Sequence, residues 1–135
     1  MGSSLNKLKG GGGKASKSAT GSDLPDVVTY RQGDRGKYSG DKLVEKVIVD
    51  DEVTAIGNRA FKGCTKLKEV VFSPNCRVKK IEEGAFCGCK ALVEVNPPNS
   101  LEEIEGGYTG VFDASSNLER VSFGENIKVI GRNAF

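Results

Sequence analysis

The 135-residue chain has no histidine and no tryptophan, a single methionine, and no apolar run near the roughly 18 residues that a membrane-spanning helix needs. Without histidine, the commonest neutral-pH acid/base, the Ser-His and Cys-His pairs and the commonest metal ligand are all missing. Residues 1–20 lack the apolar core of a secretion signal, and they also lack any acid. They carry Lys7, Lys9, Lys14 and Lys17, which leaves 16 bases against 18 acids in the remainder. The net charge of +2 therefore joins a basic tail to a nearly neutral body, and no strong field points to nucleic acid.

Residues 1–25 are dominated by Gly, Ser, Lys and Ala and cannot bury enough apolar surface to offset their ordering entropy, so a disordered tail is expected. "MGSSLN" offers Gly2 for acylation but places Asn6 where Ser or Thr belongs. "GGGGK" at 10–14 lacks the flanking residues and the preceding strand of a phosphate loop. Residues 26–37 read as an opening strand or an irregular cap.

From residue 38 the chain repeats itself. An aliphatic recurs at Ile56, Ile81, Ile104 and Ile130, and an aromatic at Phe61, Phe86, Phe112 and Phe135. A further aliphatic recurs at Leu67, Leu92 and Leu118, and a strand anchor at Val47, Val70, Val95 and Val121. The steps vary from 23 to 26, but Phe to Leu is always 6 and Leu to the next Val always 3. "YSGDKLVEKVIV" is a first, incomplete copy of "FKGCTKLKEVVF", with Tyr38 in the aromatic slot. The extra residues fall in "SPNCRVKK" and "EGGYTG", rich in turn formers. "VEKVIV", "LKEVVF", "LVEVNP" and "LERVSF" have the period-2 spacing of short strands, with Pro97 interrupting the third. "AFKGC" suggests a tight helical or 3₁₀ turn too short to stand alone. Such a unit buries its apolar side only against a neighbour, so a stacked solenoid of about four partial repeats is expected.

"VTAIGNRAFKGCTKLKEVVF", "VKKIEEGAFCGCKALVEVNP" and "IKVIGRNAF" resemble the BspA-type leucine-rich repeat; the third unit departs from it with Val111 for Ala and Ser115 for Cys. The resemblance covers residues 38–135. It implies an α/β leucine-rich-repeat solenoid with a parallel sheet, short second strands and helical or 3₁₀ turns. Members of the family serve as surface, adhesion or interaction modules, and the fold imposes no single partner.

Inward anchors leave the residues between them facing outward in two ladders. One is Lys46, Glu69, Glu94 and Arg120; the other is Ile48, Val71, Asn96 and Ser122. These eight form the candidate partner-binding face for a protein; the plainer alternative is a solvated surface with weak cross-rung ion pairs. Gly57 and Gly131 are expected to supply a positive φ or a close approach. Cys64 and Cys89 occupy one repeat slot and read as stacked core thiols, with zinc or an inter-rung disulfide as alternatives. Glu82-Glu83 and Glu102-Glu103-Glu105 fall in turns where carboxylates are solvated, which argues against paired-carboxylate catalysis. No enzyme activity, cofactor or metal is expected. Four cysteines without a secretion signal favour the cytoplasm. The chain stops at Phe135 within a repeat, so a longer array, or self-association through that end, is expected. The runner-up reading is a membrane-tethered adaptor held by the basic tail; a structural piece of a larger surface protein is a third.

Overall fold

A computed structural model describes residues 26–135. The expectations of a disordered, acylated or membrane-tethering tail fall on residues 1–25 and lie outside the described residues. Nine strands follow one another: β1 (Asp26–Tyr30), β2 (Val44–Val49), β3 (Ala55–Ile56), β4 (Glu69–Phe72), β5 (Lys80–Ile81), β6 (Glu94–Val95), β7 (Glu103–Ile104), β8 (Arg120–Val121) and β9 (Val129–Ile130). All pairings are parallel. The first strands of the repeats make a three-stranded sheet, β1-β2-β4, and a two-stranded one, β6-β8; the second strands make a four-stranded sheet, β3-β5-β7-β9. The repeat slots are the register: Val47 pairs with Val70, Val95 with Val121, and Ile56, Ile81, Ile104 and Ile130 form one row.

Between the two strand columns runs an aromatic stack. Tyr38, Phe61, Phe86, Phe112 and Phe135 follow each other with ring centroids 5.3–5.8 Å apart and planes within 17° of parallel. This column marks about five turns of solenoid rather than four. Val47, Ile56, Phe61, Leu67, Ile81, Phe86, Leu92, Val95 and Ile104 have no exposed surface. Each such large side chain contributes roughly 1.5–3 kcal/mol on burial. Leu118, Val121 and Phe123 are only partly buried, because fewer neighbours cover the last rungs.

The helical-turn expectation is corrected. No α- or 3₁₀-helix occurs among the described residues, so the observed architecture is all-β. The hydrogen bonds of the "RAFKGC" turn explain this. Ala60, Lys62 and Cys64 N–H groups donate three residues back, to the carbonyls of Gly57, Arg59 and Phe61, at 3.1–3.2 Å. The alternate groups of Arg59, Phe61 and Gly63 donate across to Glu83, Ala85 and Cys87 of the next rung at 2.8–2.9 Å. A helix would use every N–H internally; this turn uses half of them to bind its neighbour. It needs two left-handed residues per rung to do so. One slot holds Arg59, Gly84, Gly107 and Asn133, with φ of 56°, 70°, 152° and 63°. The other holds Gly40, Gly63, Gly88 and Ala114, with φ of 76°, 76°, 73° and 57°. Left-handed residues four positions apart, as at Arg59 and Gly63 and at Gly84 and Gly88, end any helix.

Gly57 and Gly131 are not among the positive-φ residues. Their alternative role holds instead. A Cβ on Gly57 would sit 3.0 Å from the Arg35 Cα, and one on Gly131 would run into the Gly106 backbone.

Candidate partner-binding face

The eight outward residues lie where the two ladders put them, but in two separate sheets. Lys46 pairs in register with Glu69, and Ile48 with Val71, across β2 and β4. Glu94 pairs with Arg120 across β6 and β8, and Asn96 and Ser122 continue just beyond them; the Ser122 amide donates to the Val95 carbonyl at 3.0 Å. No strand pairing joins β4 to β6 among the described residues. Pro97 and Pro98 follow one residue after Val95 and have no N–H to give, so β6 ends after two residues.

Strand β1 adds two residues to this face that the repeat pattern did not identify. Val27 stands opposite Lys46, and Thr29 opposite Ile48. Val27 is 46% exposed, and Thr29, Ile48 and Val71 are half-buried. The period-2 alternation of "DVVTY" was the available signal. The buried Tyr30 ends the strand, and its hydroxyl accepts the Gly57 amide at 2.9 Å.

The charges on the face are arranged in pairs. Lys46 Nζ lies 3.8 Å from Glu69, and Arg120 lies 2.9 Å from Glu94. Asn96 donates to the second Glu94 oxygen at 2.9 Å. The Arg120 bond, and after it the Asn96 bond, hold the Glu94 carboxyl below the usual carboxylate range. The first half of the face therefore joins apolar Val27, Ile48 and Val71 beside a neutralised pair, while the second half is polar throughout.

Elsewhere the polar residues of the repeat serve the stack. Cys64 Sγ donates to the Tyr38 carbonyl at 3.1 Å, Cys89 Sγ to the Phe61 carbonyl at 3.2 Å, and Ser115 Oγ to the Phe86 carbonyl at 2.7 Å. The shared slot requires a small donor, which is why Ser115 can stand where Cys stands. None of the four cysteines forms a disulfide, and all four are buried. Burial pushes the thiols of Cys76, Cys87 and Cys89 up. The turn carboxylates are half-buried and receive backbone amides: Glu82 from Asn58 at 3.0 Å, Glu105 from Glu83 at 2.8 Å and Glu83 from Thr109 at 2.8 Å. Among the described residues no group of three or more His, Cys, Asp or Glu is placed to hold a metal, and no helix is long and apolar enough to cross a membrane.

A stack of parallel short strands with one aromatic and one aliphatic row per turn defines a solenoid of the leucine-rich-repeat kind. The chain belongs to the BspA type leucine rich repeat family, whose model matches residues 35–135 in six copies. Among solved structures it is similar to a leucine rich cell surface protein from Faecalibacterium prausnitzii A2-165, with a TM-score of 0.53 and 23% identity. That match covers 81% of this chain and 38% of the other, so this chain spans well under half of its neighbour's length. The leucine rich repeat protein of T. pallidum matches at a TM-score of 0.42 and 19% identity, over 77% of this chain and 66% of that one. No curated protein matches the chain. The Faecalibacterium neighbour is a cell surface protein, and at this identity the likeness carries the fold only.

Proposed function

We propose that this chain is a non-enzymatic protein-binding module that grips its partner with the outward face of the β1-β2-β4 sheet. The observation that carries this reading is the composition of that face. Val27, Ile48 and Val71 give apolar contact, and Lys46 and Glu69 neutralise each other beside them at 3.8 Å. An apolar centre with a satisfied polar margin is the arrangement that protein interfaces use. Glu94, Asn96, Arg120 and Ser122 form a more polar margin, where contacts set register more than affinity.

The test is selection of displayed peptides on the immobilised 1–135 chain, followed by a counter-screen against the Val27→Lys/Val71→Lys variant. Both positions face outward and leave room for a lysine stem to lie along the sheet, and circular dichroism checks that the variant folds. Enriched peptides should lose binding to this variant and keep it to Glu125→Lys, placed in a turn away from the sheet. Peptides that bind all three proteins equally would refute the assignment of the face. Attachment to a membrane through Lys7, Lys9, Lys14 and Lys17 rests on composition alone and gains no support from the described residues.

A further inference from the structure

Charge is not spread evenly over the solenoid. Of the 16 lysines and arginines in residues 26–135, eight close onto carboxylates at 2.8–3.9 Å. Of the other eight, five lie in the turns of the first three rungs: Lys42, Arg59, Lys62, Lys66 and Lys90. All five are exposed. Lys42 reaches the Gly63 carbonyl at 3.2 Å, and the remaining four form no ion pair among the described residues. Three acids share these turns, and each is already engaged: Glu82 accepts the Asn58 amide at 3.0 Å and Glu83 the Thr109 amide at 2.8 Å. Asp41 accepts the Leu43 and Val44 amides at 2.8 and 3.3 Å, and Asp113 comes one rung later and bounds the patch.

The repeat geometry gathers these cations. Lys62 occupies the slot directly after the aromatic, while Lys42 and Lys90 share the slot four places after it. Arg59 packs its Cγ over Gly84 of the next rung. With strands about 4.8 Å apart, three rungs present these charges along roughly 10 Å. Leu43, 50% exposed, sits beside Lys42 and in the slot of Lys66.

We infer that this turn face is a second docking surface, distinct from the sheet face, and that it takes an extended acidic peptide carrying an apolar side chain for Leu43. Charge complementarity selects the sign of the partner, because unpaired exposed lysines gain most from carboxylates brought to them. The apolar contact at Leu43 selects a peptide over a simple polyanion. Single-stranded nucleic acid would need aromatic platforms for its bases, and the aromatics of these rungs, Tyr38, Phe61 and Phe86, are all buried.

The experiment is fluorescence anisotropy with the full 1–135 chain and a labelled peptide of alternating Glu and Leu, at low and at near-physiological salt. Lys62→Glu/Lys66→Glu/Lys90→Glu should weaken binding about ten-fold or more, since each exposed charge pair is worth a few-fold and reversal adds repulsion. The loss should shrink as salt rises. The Gln/Leu counterpart peptide should bind no variant appreciably. Val27→Lys/Val71→Lys should leave this binding intact, which separates failure here from failure of the sheet-face reading. Neutralising the tail at Lys7, Lys9, Lys14 and Lys17 should change affinity less than two-fold, because those charges lie outside the turn face. Equal binding by wild type and the triple variant would overturn the proposal. So would loss of binding on neutralising the tail, or tighter binding of phosphatidylserine vesicles or single-stranded DNA through the same three lysines.

Discussion

Replacing Ser115 and Cys89 tests whether their shared slot holds a hydrogen-bond donor or only a small apolar filler. Ser115 is 8% exposed and gives its hydroxyl to the Phe86 carbonyl at 2.7 Å; Cys89 is fully buried and gives its thiol to the Phe61 carbonyl at 3.2 Å. Each carbonyl also receives an amide from its own rung, Cys89 to Phe86 at 3.3 Å and Cys64 to Phe61 at 3.1 Å. Removing the side-chain donor thus weakens the acceptor's satisfaction without orphaning it, and the loss lies near the net value of one bond, about 1 kcal/mol. Ser115→Ala should lower the urea midpoint by about 0.5 M, and Ser115→Cys should fall between the two, because a thiol is a weaker donor. Cys89 gives the sharper contrast. If the slot needs a donor, Cys89→Ser is more stable than Cys89→Ala, which loses both the bond and the sulfur's packing, about 1–2 kcal/mol together. If the slot is simply apolar, burying a hydroxyl is the worse change and the order inverts. Urea unfolding followed by circular dichroism reads both series. Cys89→Ala equal to or more stable than Cys89→Ser would refute the donor argument.

Two further predictions follow from the turn and from the thiols. Gly84 and Arg59 share the left-handed slot, so Gly84→Ala should destabilise by about 1 kcal/mol or more, while Arg59→Gly should stabilise by about 0.5 kcal/mol after its unfolded-state entropy is deducted; thermal melts in which both changes have the same sign would contradict the slot assignment. Burial raises the thiols of Cys76, Cys87 and Cys89, so the folded chain holds those protons more tightly than the unfolded chain does. Their contribution is complete below the ordinary thiol pKa of about 8.5 and is lost as pH rises above it, so the urea midpoint should fall between about pH 8 and pH 10. Alanine at all three positions should flatten that decline, and an unchanged slope would show that other groups cause it.

What the sequence disclosed, and what it hid, follows from which interactions have a period. The Ile56, Ile81, Ile104 and Ile130 row, the Phe61–Phe135 stack and the Val47–Val121 anchors were legible because every rung must present an apolar group at the same place, and the register of the sheets reproduces them. The outward ladders followed from the same alternation. The turn was misread as helical because "AFKGC" is too short to show a period of its own. Its conformation depends on amides given to the next rung, which is a contact between copies and leaves no mark within one copy. The split between β4 and β6 was legible in part, through Pro97, but only the structure shows that it divides the candidate face into an apolar and a polar half. The cationic turn face escaped because its charges do not recur through the rungs: Lys62 and Lys66 stand one and five residues after Phe61 alone, and the slot four after the aromatic holds a lysine only at Lys42 and Lys90. A repeat scan finds what recurs. Recognition of a particular partner has to come from what does not recur, since a surface identical in every rung could not fix where along the stack that partner sits. On this ground the non-periodic residues, Val27 on β1 and the unpaired lysines of the turns, are better candidates for specificity than the regular Glu94–Arg120 pair.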